Sequence, residues 1–166
     1  MRAWAAVALA LCAAPALADG VAKGTTYIIQ LTSSQYDSGY GEYLVPPLAK
    51  ALDRAGLRSK GGPGADLVAT VDPRSDVGAW YSDAAGRNWL YTRTVTIGLS
   101  PASADVEPEG RLAPWFSVAA RLRTPDEDRV DELDCLIALA VRTAVVRYRE
   151  RGAVVIDGGQ CARDGQ

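Results

Sequence analysis

The sequence predicts an α/β fold of the α+β type. It is a two-layer sandwich in which a mixed sheet of four to five strands carries two helices on one face, in the order β-α-β-β-β-α-β. Three observations predict it. Two stretches of helical periodicity stand far apart in the chain, with three β-rich segments between them joined by turn signals. Helices separated by hairpin-connected strands collect on one side of a sheet. A row of threonines, Thr92, Thr94 and Thr96, leaves the opposite face polar, as in a one-sided antiparallel sheet.

The domain is expected to begin only after a leader. Arg2 supplies a positive start, Ala3 to Ala14 form an apolar run of twelve residues, and Pro15 breaks it. Ala16-Leu17-Ala18 then places small residues before a cut ahead of Asp19, the pattern of a secretory signal with a core too short to span a bilayer. Cys12 leaves with it, because Leu11 stands where a lipid-attachment signal wants a small residue. The expected mature chain is one globular domain over 19–166, with a short tail at 158–166 and no transmembrane segment.

Residues 25–32 (TTYIIQLT) read as the first strand. A Tyr/Gly/Ser loop follows at 33–41. The first helix spans about 43–55, with Leu44, Leu48, Leu52 and Ala55 on one stripe and Gly56 as its stop. Pro46 and Pro47 fit only in a first turn, which moves the expected start toward Val45. Lys60 to Gly64 is a linker. A strand at 65–71 is expected to be interrupted by Asp72 to Asp76, with extended character resuming at 78–82. Asp83 to Arg87 turns into a long strand at 88–99, where Trp89, Tyr91, Val95, Ile97 and Leu99 share a face that Arg93 interrupts. After an acidic, proline-containing loop at 100–111, strand 115–123 places Phe116, Val118, Ala120 and Leu122 inward and Ser117, Arg121 and Arg123 outward.

Thr124-Pro125-Asp126-Glu127 has the form of a capping box with proline at the first helical position. It predicts a second helix of about 26 residues, closed by Gly152, with Val130, Leu133, Ile137, Ala140, Val141, Ala144 and Tyr148 as its apolar stripe. Acidic residues at its start and Arg147, Arg149 and Arg151 at its end suit the helix dipole. Residues 153–157 form a final strand.

The composition excludes several function classes. The chain has no histidine, so Ser-His-Asp and Cys-His catalysis, His-ligated zinc and imidazole switching are absent. Loss of Arg2 with the leader leaves 17 basic against 20 acidic residues, a net charge of −3, which gives no basic footprint for nucleic acid. No phosphate loop, metal motif or activated serine is present, and no cofactor is expected.

Cys135 and Cys161 are the two cysteines of the mature chain, and an oxidising compartment favours their pairing. Sixteen residues of helix from Arg151 back to Cys135 span about 24 Å. The final strand returns about 17 Å antiparallel to that helix, and the tail covers the rest. Cys135 lies nearly opposite the apolar stripe, so the tail must fold around the helix to meet it.

The cluster Asp126, Glu127, Asp128, Asp131, Glu132 and Asp134 reads as a solvated face favoured by the dipole, since calcium loops also need backbone carbonyls and a glycine turn. Candidate binding residues are aromatic. Tyr36, Tyr40 and Tyr43 sit in the Gly/Ser-rich loop, where flat faces and hydroxyls can stack on sugars or a partner. Trp80, Tyr81, Trp89 and Tyr91 are expected to face one another across the hairpin, and to form an adhesive patch if strand 78–82 projects beyond the sheet. Trp115 points away from the Phe116 face, and Arg121 and Arg123 stand on the open face.

The element order, with Leu52-x-x-Ala55-Gly56 followed by ADLVATV, resembles small bacterial envelope domains that dock on other proteins. It is a likeness of pattern over residues 25–157 without a diagnostic motif. It implies a periplasmic or secreted non-enzymatic module that binds an envelope protein or cell-wall component. The alternatives are small-ligand or glycan binding by the Tyr36–Tyr43 loop, and a His-free hydrolase that would need a deep pocket holding two carboxylates.

Overall fold

The computed structural model describes residues 20–84, 86–103, 114–148 and 151–162. The leader, its cleavage site and Arg149 lie outside them. Seven strands and two main helices make a two-layer sandwich, with both helices on one face of a mixed sheet. Strand β1 (Thr26–Gln30) leads through a short α1 (Ser33–Asp37) to α2 (Gly41–Arg54) and a two-residue β2 (Arg58–Ser59). Then come β3 (Leu67–Ser75), β4 (Ala79–Asp83), β5 (Gly86–Pro101), β6 (Phe116–Thr124), α3 (Val130–Arg147) and β7 (Gly152–Asp157), with a 3-10 turn at Gly159–Cys161. The sheet order is β2-β1-β3-β5-β6-β7, and β4 pairs only with β5. The β1–β3 and β6–β7 pairs are parallel; β3–β5, β4–β5 and β5–β6 are antiparallel.

The expected inward rows form the core. Val95, Ile97 and Leu99 of β5 and Phe116, Val118, Ala120 and Leu122 of β6 are buried, together with Leu44, Leu48 and Leu52 of α2. The threonine row lies half-exposed on the other face, beside exposed Arg121 and Arg123.

Several details depart from the sequence expectation, each for a local reason. The sheet has more strands than four to five because β2 adds two residues to β1 and β4 stands as a strand of its own. Strand β3 runs through Pro73, which pairs in register with Val95. Strand β1 ends at Gln30 opposite Thr70, so beyond that point β3 is an edge. Val71 turns its carbonyl to that edge, where the buried Gln35 side chain donates to it at 2.8 Å. Two residues on, Pro73 faces the same way, and its missing N–H breaks no ladder bond. Gln35 is held by α1, in a stretch the sequence reads as loop; its Oε1 accepts from Thr32 N at 2.8 Å.

Helix α2 starts at Gly41, before the expected Val45, so Pro46 and Pro47 lie inside it. Its opening turn is held by i→i−3 bonds, Glu42 to Gly39 and Tyr43 to Tyr40. The capping box does not cap. Thr124 ends β6, and its hydroxyl bonds Asp126 in a turn, while α3 begins after Arg129 and runs 18 residues. Its buried surface is also wider than one stripe, taking in Leu136, Leu139 and Val145 while Val130 is exposed. Helix α3 also packs along its flank against α2, where Leu139 and Cys135 border a shallow groove with Ala51 of α2 and Ala55 just after it. Finally, Glu132 of the acidic cluster does not face water. It is buried, with Oε1 accepting from Arg129 at 3.3 Å.

After β7 the chain turns back over α3. Gly158 donates to the Arg121 carbonyl, and a side chain there would collide with Leu136 and sit 2.8 Å from that carbonyl oxygen. This close approach brings Cys161 to Cys135, and the two form a disulfide with Cα atoms 5.6 Å apart, spanning 26 residues.

Candidate functional site

The candidate site is built on the outer half of β5. Pairing with β6 begins at Tyr91 and pairing with β3 at Arg93, so residues 86–90 extend past both neighbours with β4 alone beside them. Five residues of strand make an arm reaching about 17 Å beyond the sheet. Its base is fixed by Asp76, whose Oδ1 accepts from Thr92 N at 2.7 Å and Gly78 N at 3.0 Å. Those backbone donors hold the Asp76 carboxyl below the usual carboxylate range.

Trp80 and Trp89 are register partners on the arm, with rings edge to face at 5.4 Å. They are 56% and 40% exposed, and the Arg87 guanidinium lies 4.8 Å from the Trp80 ring centre. Gly78, at φ 77°, lets the Trp89 indole lie against the backbone, where a side chain could not fit. Val77 beside them is exposed. The expected four-way facing is corrected: Tyr81 pairs with Asn88 and points to the opposite face, since neighbours on a strand alternate. There Arg123 lies 4.4 Å from its ring centre and braces the arm against β6.

Trp115 is half-buried beneath Arg151, whose guanidinium lies 3.7 Å from the ring centre. Arg121 stands exposed on the open face, opposite Thr94 of β5 and Asp157 of β7. The three tyrosines separate. Tyr36 stands exposed on α1, whereas Tyr40 and Tyr43, with ring centres 6.5 Å apart, line a groove of about 380 Å³.

That groove lies between α2, the end of β3 and the start of α3, and its other lining includes Ser75, Arg93, Glu127, Asp128 and Val130. Arg93 is 5% exposed; one of its nitrogens donates to the Arg129 carbonyl. No ion pair joins it to a carboxylate among the described residues. Glu127 and Asp128 are adjacent and solvent-exposed on the turn before α3, at the groove's rim. Arg74 is already paired with Asp72 at 2.8 Å. The sequence signals for this groove are Tyr40 and Tyr43, already candidate binding residues, and the arginine that interrupts an inward apolar row. No cluster of three potential metal ligands occurs among the described residues, and no helix there is long and apolar enough to cross a membrane.

No family model and no curated protein matches the chain. Among solved structures it is similar to a PDZ domain protein from Parabacteroides distasonis, at 12% identity and a TM-score of 0.42 over 78% of this chain. It spans only 32% of that protein's length. It is also similar to a minor lipoprotein from Acinetobacter baumannii, at 13% identity and a TM-score of 0.38, covering 73% of this chain and 86% of that one. The PelC dodecamer of Paraburkholderia phytofirmans gives 16% identity and a TM-score of 0.42, covering 77% and 92%.

Proposed function

We propose that the protein is a non-enzymatic binding module of the periplasm or extracellular space, which engages a partner protein through its aromatic arm and the adjoining open sheet face. The observation that carries this reading is the Trp80–Trp89 pair, half-exposed near the base of an arm that adds nothing to the core. Tryptophan and arginine are among the residue types that dominate binding energy at interfaces. Arg87 lies against the Trp80 ring, while Arg121 and Arg123 stand on the open sheet face, on the opposite side of the strand from the pair. The disulfide and the leader pattern support an oxidising compartment, with one domain over 19–166. The partner is an envelope protein; a cell-wall component is the competing outcome.

Photoreactive residues at positions 80 and 123, and at position 36 as a control, test this in living cells. We expect one discrete protein adduct from 80 and 123, absent when the unlabelled Trp89 is changed to alanine. Adducts from position 36 alone, or a tryptophan fluorescence change on titration with cell-wall fragments and no protein adduct, would overturn the partner-protein reading.

A further inference from the structure

The groove beside Arg93 is a separate surface from the outer arm, and its charges select a ligand. Arg93 is a buried guanidinium with five N–H donors, of which the Arg129 carbonyl takes one. A buried cation is costly where, as for Arg93 among the described residues, no carboxylate pairs with it, and an incoming carboxylate would meet the guanidinium fork with two parallel hydrogen bonds. The surroundings add to the demand. Ser75 is the register partner of Arg93 on β3 and lines the same groove, bringing a hydroxyl beside the guanidinium. The first turn of α3, whose Val130 and Leu133 line the groove, carries no side-chain cap.

A simple anion is not the best match, because Glu127 and Asp128 at the rim would repel it. A simple cation would be opposed by Arg93. A molecule carrying both charges satisfies both ends. The groove volume of about 380 Å³ is at the small end of ligand sites. Tyr40 and Tyr43 offer ring faces for the apolar part between the charges.

We propose that this groove binds a short zwitterionic peptide. Its carboxylate pairs with Arg93 and Ser75, its ammonium turns toward Glu127 and Asp128, and its backbone lies along Tyr40 and Tyr43. The test is an NMR titration of the disulfide-intact chain with trialanine in free, C-amidated and N-acetylated forms. Free trialanine is expected to shift the Arg93 Nε–H and the Ser75 and Val130 amides saturably. The amidated form should bind roughly tenfold more weakly, and the acetylated form several-fold more weakly. Replacing Glu127→Gln with Asp128→Asn should abolish the difference between free and acetylated peptide. Tyr43→Ala, at a position 66% exposed, should weaken the free form without unfolding the chain, which keeps the test decisive if Arg93→Lys fails to fold. Absence of saturable shifts at Arg93, or equal binding of free and amidated peptide, overturns the proposal. Equal binding of free and acetylated peptide overturns the role given to the acidic rim.

Discussion

At the scale of single residues, burial sorts the aromatic side chains from the core. Trp89 makes one ring contact and a backbone contact but remains 40% exposed. Trp89→Ala should therefore cost no more than about 1.5 kcal/mol in urea unfolding, the worth of one aromatic pair. Leu99→Ala, at a fully buried site, should cost about 2–5 kcal/mol. Ionisation is sorted in the same way. Burial, with Asp53 accepting its hydrogen bond at 3.0 Å, pushes the Tyr27 hydroxyl up to about 12. Burial alone does the same to Tyr148, whose hydroxyl has no hydrogen-bond partner among the described residues. The folded state thus holds the neutral phenol more tightly than the unfolded chain does. That stability is complete below about pH 10 and is lost as pH rises through about 12. Denaturation midpoints should fall across this window, and Tyr27→Phe should flatten the decline. Arg93 was visible in the sequence as a break in an inward row, but not as a groove residue. Its neighbours Ser75 and Glu127 come from segments that only the fold brings together.

At the scale of elements, the helices and long strands were legible because period 3.6 and period 2 are properties of short windows. What was not legible depended on neighbours. Nothing local says that β1 stops at Gln30, yet that stop makes Pro73 harmless and lets β3 continue. The Thr124 box has the right letters, but its hydroxyl is engaged with Asp126 at the end of a strand, and the helix waits until Val130. The projection of the arm was stated in the sequence only as a condition; the register supplies it. Asp76 fixes the base of that arm, so Asp76→Ala should raise hydrogen exchange across 78–92 while core amides of β5 and β6 keep their protection. The Cys135–Cys161 link closes 26 residues, and its removal by paired serine substitution should cost about 3.5 kcal/mol in the chain-entropy model. Urea midpoints of the oxidised chain and the serine variant measure that difference.

At the scale of the whole molecule, the core side and the working side are separable. One sheet face and two helices bury the apolar residues, whereas the arm, the open face and the groove at α2 add little to that core. A module organised this way can lose its contact residues and remain folded. The most direct test is the affinity of the crosslinked partner, once purified, for the intact chain and for the Trp80→Ala, Trp89→Ala double variant. Both proteins should show matched circular dichroism, and the double variant should bind at least roughly thirtyfold more weakly, the loss of one interface hot spot. An unchanged dissociation constant with the fold intact would contradict the assignment of the arm as the partner-binding surface.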